Sequence, residues 1–211
     1  MAVGKLACDD KGDITMGKIC AIVLAAGESK RMGFPKMLLD FMGMPMLERV
    51  IENIRTSLVD EIIIVVGAYR EQITELAART GVKYCYNEHY KEGMLSSVQC
   101  GFRFLPENTD AALVFQGDQP LITQLVVNEI IKSFHSSSKG IVIPVYNKKR
   151  GHPLLVSGKY FTEIARLDPS VGLRALAEKF HEDVEEVGVK EAGILRDFDT
   201  FEEYKREINQ I

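Results

Sequence analysis

Five short segments of this chain, "ICAIVL", "EIIIVVG", "VKYCYN", "AALVFQ" and "GIVIPV", are apolar almost without interruption. A strand with one wet face alternates apolar and polar residues, so runs of this kind mark strands buried on both faces. Between them lie "PMLERVIENIRTSL", "YREQITELAART", "MLSSVQCGFRFL" and "TQLVVNEIIKSFHS", whose apolar residues recur near helical spacing. Strands and helices taking turns in this way describe a mostly parallel sheet with helices on both sides. Past Val145 the rhythm loosens into "YNKKRGHPLLVSGKYF", two short helical stretches, a strand at "DVEEVGV" and a last helix from Thr200. The expectation is a layered α/β core whose later segments decorate one edge and complete a pocket.

The 211 residues suffice for one sizeable core and fit one domain better than two. Residues 18–211 read as that domain, and residues 1–17, with the polar start "MAVGKLACDDKGDIT", as a flexible tail. A formal charge of −4 argues against a general nucleic-acid binder, which needs basic surface to match the phosphate backbone. Any phosphate chemistry therefore has to be local. No apolar run approaches the roughly 18 residues of a membrane span, and the start has no apolar signal-peptide core. Cys8, Cys20, Cys85 and Cys100 show no C-x-x-C spacing and read as reduced thiols. The chain reads as cytoplasmic, with neither a membrane nor a nucleic-acid partner.

Sheets of this class bind ligands outside the carboxyl ends of their strands, so the informative residues follow the apolar runs. "LAAGESKRMGFPK", Leu24 to Lys36, follows the first. Its glycines allow a tight turn whose N–H groups form an anion nest, and Lys30, Arg31 and Lys36 can neutralise a polyphosphate. It contains neither G-x-G-x-x-G nor G-x-x-x-x-G-K-[ST], which removes a dinucleotide fold and a P-loop. "GESKR" departs from the G-x-S-x-G elbow at Arg31, which removes Ser29 as a hydrolase nucleophile. "FQGDQPLIT" follows another strand and places Asp118 directly after Gly117. A carboxylate there suits Mg²⁺, which one or two carboxylates and substrate phosphates usually hold. It suits equally a cap for a turn or for the helix after Thr123, and the residues alone leave both readings open.

The segments "LAAGESKRMGFPK", "GMLSSVQCGF", "GDQP", "RGHPLLVS", "GLRAL" and "DFDTFEEY" occur in this order. Together they resemble the molybdenum-cofactor cytidylyltransferase-like (MobA/MocA-like) nucleotidyltransferases, over Lys18 to about Tyr204. The resemblance implies a single-domain, Rossmann-like α/β/α sandwich with a mostly parallel sheet, nucleotide-diphospho-sugar transferase-like in fold. It implies transfer of CMP from CTP to molybdopterin-bound molybdenum cofactor with release of pyrophosphate, and Mg²⁺ as cofactor. Carried over by position, Arg31, Lys36 and Asp118 are the catalytic candidates. Leu24, Ala25, Ala26 and Gly27 with Gly93, Ser96 and Ser97 would line the base and ribose, beside Arg31 and Lys36 on the triphosphate. Asp118 and Asp199 would hold the metal, with Asp197 as a neighbour. Arg150, His152 and Arg174 are candidates for the acceptor side.

The sequence departs from the family pattern at Phe201, where proline is frequent, and at Val171, where an acidic or small residue is commoner. Met32, Met37, Met42, Met44 and Met46 read as core gap-fillers or lid packing. Guanylyltransferase relatives tend to show "LAGG", so the methyl group of Ala26 is expected to favour CTP over GTP by steric exclusion. A methylerythritol-phosphate cytidylyltransferase shares the first motif and a serine before valine, like Ser97-Val98, but not the "PKML" that stands here. A third reading is a non-catalytic maturation or delivery protein serving a xanthine-dehydrogenase-like molybdoenzyme partner.

Overall fold

A computed structural model describes residues 7–8, 14–15, 17–168 and 170–208. The expected tail over residues 1–17 lies mostly outside them; its described part is an antiparallel pairing of Ala7–Cys8 with Ile14–Thr15. The rest builds an eight-stranded sheet. Its strands are β1 (Lys18–Ala25), β2 (Glu61–Val66), β3 (Lys83–Tyr86), β4 (Thr109–Gln116), β5 (Ile141–Tyr146), β6 (Lys149–Arg150), β7 (Leu154–Ser157) and β8 (Val184–Gly188). They lie in the order β8-β5-β7-β4-β1-β2-β3, with β6 paired to β5. The helices are α1 (Met46–Arg55), α2 (Arg70–Thr80), α3 (Met94–Arg103), α4 (Gln124–Ser136), α5 (Phe161–Arg166), α6 (Arg174–Lys179) and α7 (Phe201–Ile208).

The uninterrupted apolar runs are explained by two cores. Ile19, Ala21, Val23 and Ala25 of β1 join one cluster with Leu47, Ile51, Ile73, Leu76, Val127 and Ile130, from α1, α2 and α4. The intervening Ile22 and Leu24 join the other, with Leu95, Val98, Ile164 and Leu176 from α3, α5 and α6. Successive side chains of a strand point to opposite faces, so both parities must be apolar. Each fully buried aliphatic side chain contributes roughly 1.5–3 kcal/mol.

The last third of the chain does more than decorate an edge: β8 forms the edge beside β5, but β7 enters the sheet antiparallel to both β4 and β5. A β5–β6 hairpin leads into it with Asn147 and Lys148 in the left-handed region at φ 48° and 64°. So short a connection has no room for a crossover helix, and antiparallel pairing is the geometry it permits.

A third cluster of Met32, Phe41, Met46 and Phe198, with Phe34, Leu39, Leu121 and Tyr204 packed on it, ties the loop after β1 to α7. Met32, Met37 and Met46 are buried as expected. Met42 is not: it is 55% exposed. Met42 and Gly43, both at positive φ, form the tip of a tight turn in which Phe41 N–H donates to Met44 O at 2.7 Å, so the Met42 side chain has no core to enter.

Candidate functional site

β1, β2, β3 and β4 are parallel, so the segments that leave their carboxyl ends converge on one edge of the sheet. Leu24 of β1 lies level with Gln116 of β4, and Gly117 N–H donates to Leu24 O at 3.0 Å. That bond sets Asp118 beside the loop after β1. Asn53 of α1 donates to Pro120 O at 3.0 Å and to Ile122 O at 2.9 Å, holding the remainder of "GDQPLIT". Thr123 caps α4 itself, accepting from Leu125 N at 3.2 Å. The alternative of Asp118 as a helix cap is thereby removed, and its buried carboxylate faces Lys36 instead.

Ser29, at φ 48°, closes a turn by accepting at its carbonyl from Met32 N and Gly33 N. The turn returns the chain so that Lys36 ends next to β4. Lys36 Nζ donates to Asp118 Oδ2 and, at 3.0 Å, to Asp199 Oδ1. Arg31 Nη2 reaches Asp199 Oδ2 at 2.7 Å. Lys30, by contrast, pairs with Glu28 and is exposed. Carboxylate oxygens of Asp118, Asp197 and Asp199 all lie within 4.8 Å of one another. Such a set of hard oxygen donors fits Mg²⁺ or Mn²⁺.

The two distal acids are aimed by the residue between them. Phe198 is 2% exposed in the third cluster, 5.7 Å ring to ring from Phe41. With Phe198 buried, its neighbours on either side are left to the cleft. Thr200 and Glu203 then form a capping box at the start of α7: Glu203 N donates to Thr200 Oγ1, and Thr200 N to Glu203 Oε2. Asp199 N donates to the same Glu203 carboxylate at 3.2 Å, so the helix cap also braces the metal-type cluster. Phe201, where the family often has proline, packs edge-on against Phe34 at 5.7 Å and closes the same contact.

Charge within the cluster is distributed unevenly. Desolvation pushes the Asp199 carboxyl up, but Lys36 and Arg31 outweigh it and hold it below its ordinary value. Desolvation lowers Lys36, and Asp118 and Asp199 more than reverse it, so the ammonium is held above its ordinary value. Asp197 has no cation touching it among the described contacts; desolvation of its carboxyl, then the charges of Asp199 and Asp118, raise it. Lys36 thus already occupies, as an internal cation, the carboxylates that a divalent ion would use.

Beside this cluster lies a cleft of about 230 Å³, lined by Leu24, Ala26, Gly27, Tyr90, Gly93, Met94, Ser97 and Gln116 with Lys36, Met37 and Asp118. A second hollow, lined by Gly27 to Arg31 with Lys36 and Asp199, opens next to it. A Cβ on Gly27 would meet nothing within 4 Å, so that backbone faces open space. Gly67 is where a side chain is excluded: a Cβ there would lie 2.5 Å from Ala26 O. Ala25 belongs by its side chain to the core on the far face. Ser96 is turned inward, with its hydroxyl 2.8 Å from both His89 O and Gly93 O.

Of the residues expected on the acceptor side, only His152 adjoins the cleft, its Nε2 2.9 Å from Gln116 Nε2. Burial pushes its imidazole down, toward the neutral form. Arg150 pairs with Glu186 and Arg174 with Glu178, and neither lines the two hollows. Glu186 lies 36 positions from Arg150, beyond what sequence order reveals, whereas Glu178 is about one helical turn from Arg174. Gln116, Tyr90 and Asn87 went unnoticed in the sequence, although Asn87 and Gln116 stand at strand ends, where position alone could have marked them.

The family described as MobA-like NTP transferase domain matches residues 21–185. The chain is 28% identical over 191 residues to the molybdenum cofactor cytidylyltransferase of Escherichia coli K12, covering 90% of this chain and 95% of that protein. It is 34% identical over 122 residues to the bifunctional protein GlmU of Clostridium botulinum, covering 57% of this chain and 26% of that one. The match thus spans about a quarter of the length of such relatives. Among solved structures, Rv0371c of Mycobacterium tuberculosis H37Rv superimposes with a TM-score of 0.83 at 27% identity, over 92% of this chain and 99% of that one. A manganese complex of Rv0371c gives 0.79 at 25% identity, over 92% and 100%.

Proposed function

Because this chain belongs to the MobA-like NTP transferase family, we propose that it transfers CMP from CTP to a molybdopterin-type acceptor and releases pyrophosphate. The observation that carries nucleotidyl transfer is the meeting of Arg31, Lys36, Asp118 and Asp199 beside a cleft also lined by Gly27, Gly93 and Ser97. Cations and a cation-binding carboxylate set stand beside a hollow of nucleoside size. CTP and the molybdopterin acceptor are supported by the near full-length likeness to the E. coli protein of that name.

Asp118 and Asp199, with Asp197 beside them, would hold Mg²⁺, which when bound supplies charge neutralisation on the phosphates. Lys36 and Arg31 exchange their carboxylate partners for triphosphate oxygens and stabilise the charge that develops on the leaving pyrophosphate. A phosphate oxygen of the acceptor forms the new bond to the α-phosphorus as the bond to the bridging oxygen of pyrophosphate breaks. That oxygen is already anionic near neutral pH, so the chain needs neither a covalent nucleophile nor a strong base. Ala26, Gly93 and Ser97 hold the nucleoside, and neutral His152, behind Gln116, supports that wall on the acceptor side.

The test is Mg²⁺-dependent pyrophosphate release with each of CTP, GTP, ATP and UTP, with and without molybdenum-loaded molybdopterin. Release from CTP only when the acceptor is present is expected. Acceptor-independent turnover, or equal use of GTP, overturns the assignment.

A further inference from the structure

We propose that Asn87 is a positioning residue that leaves the Ser97 hydroxyl proton free to be donated into the nucleotide cleft. Asn87 directly follows β3 and is a polar side chain only 2% exposed. Its orientation is chemically determined. His89 N–H donates to Asn87 Oδ1 at 3.0 Å, and a backbone N–H can face only the oxygen of an amide. The two N–H bonds of Nδ2 therefore point the other way, to Ser96 Oγ at 2.9 Å and Ser97 Oγ at 3.0 Å. Every donor and acceptor direction of the amide head that is needed at this depth is in use.

The two serines differ in what remains to them. Ser96 accepts from Asn87 and passes its own proton to a backbone carbonyl, His89 O or Gly93 O, each at 2.8 Å. It is spent inside the protein. Ser97 also accepts from Asn87, but its proton has no acceptor among the described residues, and Ser97 lines the cleft. Asn87 Nδ2 carries no acceptor, so the Ser97 proton cannot turn to residue 87 and is left for a ligand acceptor, such as a pyrimidine carbonyl or a ribose oxygen, while the second lone pair of Oγ stays open.

This inference rests on the nucleotide reading of the cleft. Asn87→Asp keeps the size and shape of the side chain but replaces a double donor by an acceptor, so the Ser97 proton is drawn back to residue 87. The KM for Mg²⁺–CTP should rise about fivefold with kcat little changed, as should that of Ser97→Ala, and the double variant should show no further loss. Additive effects, or an unchanged KM in Asn87→Asp, overturn the proposal. A merely structural role would lower the unfolding midpoint and reduce activity equally in wild-type and Ser97→Ala backgrounds. Should Asn87→Asp not fold, Asn87→Ala, in which water takes the place of the amide, is read in the same cycle with the same expectation. Failure of the unaltered protein to use any nucleoside triphosphate would instead remove the functional reading, so the two failures are distinguishable.

Discussion

Replacing Lys36 by methionine tests the electrostatic core of the site. Methionine keeps the length of the side chain and removes the charge, leaving three carboxylates with oxygens within 4.8 Å and one cation fewer. The Lys36 and Asp118 side chains are only 14% and 7% exposed, so water screens them poorly. Asp199 keeps Arg31, but that side chain is 68% exposed, and Asp118 retains no cation within ion-pair distance among the described residues. Breaking a buried pair on one side costs roughly 3–5 kcal/mol, and the remaining Arg31 places this case near about 3 kcal/mol.

The pH dependence follows from the directions of the shifts. Asp199 is held below its ordinary value, so its contribution is present above about pH 4 and is lost as pH falls through the lowered folded value. Lys36 is held above its ordinary value, so its contribution is present below about pH 10 and is lost as pH rises through the raised one. The deficit of Lys36→Met should be full between about pH 5 and pH 10 and shrink in stronger acid. Urea unfolding followed by circular dichroism at several pH values measures it. Mn²⁺ titration without nucleotide gives a second readout: with the internal ammonium gone, the variant should bind the ion about tenfold more tightly although catalysis falls. Equal stability at pH 7, or a deficit unchanged in acid together with unchanged Mn²⁺ affinity, would refute the reasoning.

Asp118→Asn should leave the fold intact and lower pyrophosphate release by about a hundredfold or more, on the order of 3 kcal/mol of transition-state stabilisation; near-normal turnover removes Asp118 from the site. Phe198→Ala should cost about 3 kcal/mol in urea unfolding and weaken Mn²⁺ binding, because Asp197 and Asp199 lose the buried anchor between them; unaltered ion affinity in a destabilised protein would mean the acids are aimed by something else. Ala26→Gly should raise the use of GTP relative to CTP, by an amount within about 1–3 kcal/mol of discrimination, and competition kinetics with both triphosphates would expose an unchanged ratio.

What the sequence determined by itself was everything that depends on near neighbours. Continuous apolar runs report that a strand is covered on both faces, because the side-chain period of two is local; all five runs became parallel strands, although β3, at the sheet edge, leaves Lys83 and Tyr84 exposed. The strand-end positions of Leu24 to Lys36 and of Asp118 were legible for the same reason. The last helix expected from Thr200 was legible too, and α7 begins directly after it at Phe201. Tertiary structure alone decided which of these ends meet. Lys36 and Asp199 are 163 positions apart and touch because Phe198 is buried against Phe41, a contact that no periodicity encodes. The antiparallel insertion of β7 was equally hidden, since "LLVS" has the same pattern in either direction and only the short hairpin before it selects one. Arg150 and Arg174 read as well as Arg31 along the chain. Arg31 and Arg150 were separated by partner carboxylates that folding brings in from far along the chain, whereas Arg174 is held by Glu178, four positions on in its own helix.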